Sequence, residues 1–206
     1  MKKISEPSFS EELKERKLNE IKDLRTDGCA FAKEACSQDF SGYQFYECTF
    51  RNITFVGRLS GTLFVDCIFD HCDLSNCRME EAVLRRVILR SCRLTGTQLI
   101  RAAFQDISIE TCRADYANFS GTKWLRASLR ESDFTEASFS MSSFKDTKLK
   151  ECAFVNAEFL DTPLSGLDFS DSDISGFTVN PENLRGSVMN QIQAAACAQL
   201  LGITVR

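Results

Sequence analysis

The 206-residue sequence holds one histidine, one tryptophan and three tyrosines, and has no apolar run near the ~18 residues that a membrane-spanning helix needs. No membrane association is expected. Its first residues, Met1-Lys2-Lys3-Ile4-Ser5-Glu6-Pro7, lack the apolar stretch of a secretory signal, which predicts a cytoplasmic protein. Positive charge is not in excess: the formal net charge is −4, which excludes a generally basic nucleic-acid binder and makes direct nucleic-acid contact an unexpected role. His71, the lone histidine, has no triad context, and no Gly-rich phosphate loop is present, so catalysis is not expected. What is abundant is phenylalanine (17) and cysteine (10). A chain that favours Phe over larger rings has a narrow, apolar interior.

The dominant feature is a five-residue period. From Leu59 to Val179 a large apolar residue recurs every fifth position, through Phe64, Phe69, Leu74, Met79, Leu84, Leu89, Leu94, Leu99, Phe104 and Ile109. It continues through Ala114, Phe119, Trp124, Leu129, Phe134, Phe139, Phe144, Leu149, Phe154, Phe159, Leu164, Phe169 and Ile174. Two places before each of these centres sits a small residue; only Ile107, Leu167 and Phe177 break that rule. The period begins earlier, at Phe40, Phe45, Phe50 and Phe55, and the step from Phe55 to Leu59 is one residue short. Phe31 with Cys29 reads as an earlier, irregular repeat. Five fits neither an α-helix nor a plain strand. It fits a right-handed coil of four pentads, each forming one side of a square, with centre and small residue both pointing inward. Gly42, Gly61, Gly96, Gly121, Gly166 and Gly176 each lie two places after a centre, at the expected corners, where glycine takes a positive φ at little cost.

Residues twenty apart should then stack at about the 4.8 Å of neighbouring strands. Cys72, Cys92, Cys112, Ser132 and Cys152 form one predicted inner column; Phe119, Phe139 and Phe159 form another, and Phe134 and Phe154 a third. Across the short step, Cys48 should stack on Cys67. All cysteines except Cys36 and Cys197 occupy the small inward position, where Cys serves as a compact apolar filler. The set nearest to a zinc site is His71-Cys72 with Cys77. The repeat sends both thiols inward and leaves His71 at a corner, so neither a metal nor any other cofactor is expected. Ala114 is the one centre without bulk, and a neighbour is expected to fill its space.

Stretches such as Ala117-Asn118-Phe119-Ser120-Gly121 and Cys72-Asp73-Leu74-Ser75-Asn76 resemble the A(D/N)LXX consensus of the pentapeptide-repeat proteins, over roughly residues 27 to 180. The resemblance implies that family's all-β fold, a right-handed quadrilateral β-helix. Three regions are expected: an N-terminal helical cap or tail at 1–25, the β-helix at 26–180, and a C-terminal helix and strand at 181–206. The N-terminal helix is predicted within residues 8 to 24, with Ser10 as its N-cap. The C-terminal helix is predicted from Gln191 to Leu201, closed by Gly202, with a strand over Ile203-Thr204-Val205.

Gln193-Ala194 and Leu200-Leu201-Gly202-Ile203-Thr204-Val205 resemble the end of the Qnr-type quinolone-resistance proteins, a subgroup that with its MfpA relative dimerises through this segment. The resemblance implies a homodimer, for which Val188, Ile192, Ala195, Ala196 and Gln199 are the candidate contacts. A capped monomer is the alternative. It further implies binding to DNA gyrase or topoisomerase IV and their protection from quinolones or toxins. The unbroken register leaves no room for projecting loops, as in the loop-free members of the subgroup.

Charge is unevenly spread. Residues 78–130 carry ten Lys/Arg and five Asp/Glu; residues 131–173 carry three Lys/Arg and ten Asp/Glu. Glu151, Glu158, Asp161, Asp168, Asp171 and Asp173 are the candidate partner-binding acids. A rigid rod with an acidic centre, about 70 Å long as a dimer of ~5 Å coils, can compete for a groove that holds duplex DNA. The alternatives are a solvated face without a partner and a repeat scaffold with a different partner, because a fold does not fix a function.

Overall fold

The computed structural model describes residues 3–205, and the five-residue period is realised as a right-handed β-solenoid of about eight turns. Every strand pairing in the solenoid is parallel. The longest strands, Leu63–Asp70, Val83–Arg90, Ala103–Glu110 and Lys123–Arg130, each span two sides of the square. We name the walls by their inward centres. Wall A carries Phe64, Leu84, Phe104, Trp124 and Phe144 in register; wall B carries Phe69, Leu89, Ile109, Leu129 and Leu149. Walls C and D are joined by single bridges, such as Arg93↔Arg113 and Arg113↔Asp133 on C and Gln98↔Asn118 and Asn118↔Ser138 on D. Wall C holds the centres Leu74, Leu94, Ala114, Phe134 and Phe154, and wall D holds Met79, Leu99, Phe119, Phe139 and Phe159.

The core is continuous from Leu18 to Cys197. Phe119, Phe134, Phe139, Phe154 and Phe159 are at most 1% exposed. Their rings stack face to face along the axis: Phe119 on Phe139 at 4.9 Å, Phe139 on Phe159 at 5.0 Å and Phe134 on Phe154 at 5.2 Å. The small inward column has a polar job as well as a packing one. Cys72 Sγ donates to the Phe50 carbonyl one coil earlier at 3.3 Å, and Cys92 and Cys112 do the same to Phe69 and Leu89 at 3.5 Å. Thr97 and Thr162 make the equivalent bonds at 2.7 and 2.8 Å. Cys and Thr serve alike in these bonds, while Ala82, Ala102, Ala117 and Ala137 fill the same small position without a donor. All ten cysteines, Cys152 included, are free and buried.

Ala114 is fully buried. Its coil also contains Trp124, the bulkiest centre, which stacks 4.1 Å from Phe104 and donates from Nε1 to Thr122 Oγ1 at 2.8 Å. The smallest and largest centres thus share one layer. An enclosed gap of about 10 Å³ lies instead among Leu74, Leu84, Leu89, Leu94 and Leu99, where leucines replace rings.

The short step sits where the spacing placed it. Phe45 pairs with Phe64 and Phe50 with Phe69, nineteen residues on, and Phe31 joins the column 5.2 Å from Phe50. Losing a residue there draws Gly57 against the previous coil, where a Cβ would lie 2.4 Å from the Gln38 carbonyl oxygen. Corners take the left-handed conformation, not only at glycines such as Gly121 (φ 70°) but also at Arg86, Asp106 and Arg126 (φ 52°, 55° and 54°). Asp and Asn just before a centre latch the corner: Asp73, Asn118 and Asp133 accept from the amides of Ser75, Ser120 and Thr135 at 2.9–3.0 Å.

The two ends correct the sequence reading. No α-helix forms in residues 8–24. Lys14–Glu15 is a strand beside Cys29–Ala30, and Leu18–Glu20 is a single 3-10 turn. A helix would satisfy only its own backbone and leave the first coil's edge bare; the extended chain covers that edge, with Lys14 and Arg16 amides bonding the Gly28 and Ala30 carbonyls. Leu18 and Ile21 plug the end of the core. At the other end Gln191–Ala198 is a helix with an Asn190/Gln193 capping box, followed by a 3-10 turn, Gln199–Leu201, and left-handed Gly202. Residues 203–205 form no strand, having no neighbouring strand to pair with.

Candidate functional site

The six candidate acids are all exposed, and the coil geometry sorts them into two groups. Glu151 and Asp171 lie on the corner between walls B and C, one coil apart, and the Glu151 amide bonds Asp171 Oδ1 at 3.2 Å. Glu131 occupies the same corner one coil earlier, its amide bonding the Lys150 carbonyl. Asp173 stands beside them on wall C, in the column of Asp133 and Ala153. The result is an acidic ridge of Glu131, Glu151 and Asp171 over three coils, flanked by Asp133 and Asp173. Glu158 lies on wall D, bridged to Ser138, and Asp161 on the corner between D and A. Asp168 is on wall B, paired with Val188.

Their roles differ. Asp168 and Asp173 latch their corners, accepting from Ser170 and Ser175 amides at 3.0 and 2.9 Å. The serine hydrogen bonds hold both carboxyls below the ordinary Asp value, so they stay charged. Arg130 meets Glu131 at 3.0 Å and Lys150 meets Glu151 at 3.6 Å, partly neutralising the ridge. Glu131 and Asp133 belong to the ridge although the sequence reading did not select them; counting back twenty from Glu151 and forty from Asp173 finds them.

The basic half is mostly paired along the axis. Arg86 and Arg126 bond Asp66 and Asp106 one coil away at 2.6 and 2.7 Å, and Arg101 reaches Glu81 at 2.7 Å. Arg90 pairs with Glu110 and Arg93 with Asp73 at 3.4 and 3.5 Å; Arg78 and Arg113 pair within their own coils with Glu80 and Asp115. His71 is an exposed corner residue 2.9 Å from Asp70, while the Cys72 and Cys77 thiols turn to interior carbonyls. Among the described residues no group of three His, Cys, Asp or Glu side chains could hold a metal ion.

At the C-terminal end, Gln193 ties the helix to the last coil, donating to the Phe169 and Ser172 carbonyls at 2.9 and 2.7 Å, and Cys197 is buried beside Met189. The opposite helix face is open. Ile192 is 83% exposed, Val188 49%, Ala196 and Gln199 are exposed, and Ala195 is half-buried. Between helix and solenoid lies a groove of about 690 Å³ lined by Ile174, Phe177, Ile192, Ala196 and Leu200, with Asp171 and Asp173 at its side.

The sequence reading missed a strap along the solenoid's flank. Residues 3–10 run outside the corner between walls A and B. The Ser5 amide bonds Asp106, the Ser8 amide bonds Asp66 (both 3.2 Å), and Ser10 bonds Glu47 through amide and hydroxyl at 2.7 and 2.6 Å. The three extended residue steps from Ser5 to Ser8 cover about 10 Å, the height of two coils. Nothing in the local sequence signals this contact.

A model of the pentapeptide repeat region matches residues 62–139. That match falls on coils whose centres and corners follow the repeat. The chain is similar to the quinolone resistance pentapeptide repeat protein QnrB96 of Scandinavium goeteborgense, 31% identical over 100 residues, which span 48% of this chain and 47% of that one. The chain thus matches about half the length of that relative. Among solved structures, full-length QnrB1, a plasmid-mediated fluoroquinolone resistance protein, is 18% identical with a TM-score of 0.39, covering 87% of this chain and 100% of that one. HetL, a pentapeptide-repeat protein involved in heterocyst differentiation regulation in Nostoc sp. strain PCC 7120, is 14% identical with a TM-score of 0.36, covering 82% and 90%. No helix among the described residues is long and apolar enough to cross a membrane.

Proposed function

We propose that this chain is a Qnr-type pentapeptide-repeat protein that binds DNA gyrase or topoisomerase IV in the cytoplasm and protects it from quinolones or toxins. The observation that carries the reading is the 31% identity to a quinolone resistance protein over 100 residues. The acidic ridge supports it: Glu131, Glu151 and Asp171 repeat at the ~5 Å spacing of the coils, a row of fixed negative charge on a narrow rigid rod. Such a row competes with duplex DNA for a positively charged groove without contacting nucleic acid itself. The same reading makes the chain a homodimer, with Ile192, Ala195, Ala196, Gln199 and Val188 of two copies meeting across the open helix face. The exposed apolar groove there is the support for that step. The two acidic ends then join at the centre of one rod.

Adding the purified protein to a gyrase supercoiling assay, with and without ciprofloxacin, tests the reading. Restored supercoiling in the presence of drug supports it; neither protection nor inhibition across a wide concentration range removes it. A repeat scaffold for another partner is the second reading. It is favoured by one observation: Glu158 and Asp161 lie away from the ridge, so the negative surface is not continuous around the rod.

A further inference from the structure

We propose that wall A is a second docking surface, for a protein segment that presents aliphatic side chains flanked by carboxylates. It lies apart from the acidic ridge and calls for a partner of opposite charge, and it stands whether or not the chain binds a topoisomerase.

The argument begins with the outward positions of the walls. On wall A, Leu63, Val83, Ala103 and Leu125 place an aliphatic side chain outward in four successive coils; Val83 is 39% exposed, the other three are half-buried, and Val65 beside Leu63 is buried. On wall B the run ends after Ile68 and Ile88, giving way to Ser108 and Ser128. The wall A positions line a shallow hollow of about 600 Å³, closed at one end by Tyr46. An exposed apolar patch rimmed by polar groups marks an interaction site more often than a scattered exposed residue does.

Charge selects the occupant. Of the cations between Arg78 and Arg130, all but two hold a carboxylate within 4 Å; among the described residues Arg85 and Lys123 hold none. Both line this hollow. Lys145, next in line on the same wall, likewise has no carboxylate within 4 Å among the described residues. The rims are already neutral, through Asp66–Arg86 and Asp106–Arg126 on one side and Glu81–Arg101 on the other. A partner that covered the hollow with apolar groups alone would strip water from two unpaired cations, a cost that opposes binding. An occupant with carboxylates beside its aliphatic groups removes that cost. Arg85 and Lys123 are two coils apart, about 10 Å, so the matching carboxylates sit roughly three extended residues apart. Two or three cations beside a single ring, Tyr46, already covered by Arg25 at 4.4 Å, suit a protein segment better than a nucleic acid strand, which is held by longer basic tracks and stacking rings.

The test uses the full chain and a fluorescein-labelled peptide with Glu and Leu alternating on one face and Ser on the other. Its lysine-for-glutamate counterpart and labelled oligo-dT serve as comparisons, all read by fluorescence anisotropy. The expected result is saturable binding of the acidic peptide that weakens with salt. The pair Arg85→Glu and Lys123→Glu should weaken it about tenfold or more, and Val83→Glu should do the same. The pair Arg58→Glu and Lys148→Glu makes the same charge change on walls D and B and should leave binding intact; circular dichroism checks that every variant keeps the fold. Absence of saturable binding, equal loss in the control pair, or equal binding of the lysine peptide overturns the proposal. Binding of oligo-dT without the acidic peptide overturns it in favour of a nucleic acid.

Discussion

Replacing Phe139 by alanine isolates what the aromatic column contributes. The ring is fully buried, stacked on Phe119 at 4.9 Å and on Phe159 at 5.0 Å, with edge contacts to Phe134 and Phe154 at 5.6 and 5.9 Å. Truncating a buried Phe costs about 3–5 kcal/mol, depending on how far the site collapses. Here collapse is resisted, because the Phe119 and Phe139 amides are tied at 2.7 Å to carbonyls of the following coil and fix the coil spacing. Stacking on both faces adds about 0.5–1.5 kcal/mol for each ring pair. The expected loss is therefore at the top of the range, about 5 kcal/mol. Phe177, half-buried near the last coil, has fewer neighbours, and Phe177→Ala should cost about 2 kcal/mol. Guanidinium denaturation followed by circular dichroism measures both. A solenoid's coils are coupled mainly to their neighbours, so a defect at the middle should also lower the denaturant slope as the halves melt separately. A Phe139→Ala loss below about 2 kcal/mol, or one equal to that of Phe177→Ala, would refute the claim that the column is a rigid, non-collapsing core.

Three further outcomes are expected. Asp106 is held below the ordinary Asp value by the Arg126 hydrogen bonds, against burial, with help from the Ser5 amide. Its folded pKa is thus depressed, so its contribution is fully present above about pH 4 and is lost as pH falls through the lowered value; Asp106→Asn should flatten the acid limb of a stability–pH curve, and an unchanged limb counts against the assignment. Gly57→Ala should cost about 3 kcal/mol or more because its Cβ meets the Gln38 backbone, whereas Gly121→Ala, at a corner that other residues also occupy, should cost about 1 kcal/mol; thermal melts that rank them the other way contradict the close approach. In the proposed dimer Ile192→Asp should leave a monomer by sedimentation equilibrium, and a wild-type chain that already sediments as a monomer removes the dimer.

The solenoid was legible because its inside and outside are written largely by period: centres five places apart turn inward, most of them fully buried, with Phe144 and Leu149 half-buried. The short step at Phe55–Leu59 was legible for the same reason. Its consequence, the side-chain-free approach of Gly57 to Gln38, was not, since it depends on a contact between coils. That Ala114 and Trp124, the smallest and the largest centre, fall within one coil could have been read by listing the centres coil by coil. The acids resisted because charge counts ignore which of the four sides a residue occupies; Glu151 and Asp171 share a corner while Glu158 and Asp161 do not. Ser10 followed by Glu11 and Glu12 carried the local marks of a helix start. It lost to the need of the strand at Cys29–Cys36 for a neighbour, a demand that no local window contains.

The flank contact of Ser5 with Asp106 has a consequence for how the protein is born. The nascent chain releases its first residues about a hundred positions before their docking ground exists. Ser10 can settle on Glu47 early, Ser8 on Asp66 next, and Ser5 only when a fifth of the way further along has been wound. The amino end is therefore laid down in the reverse of its order of synthesis, like a zip closed from the inside out. Its last tooth reports that the middle of the rod has been completed.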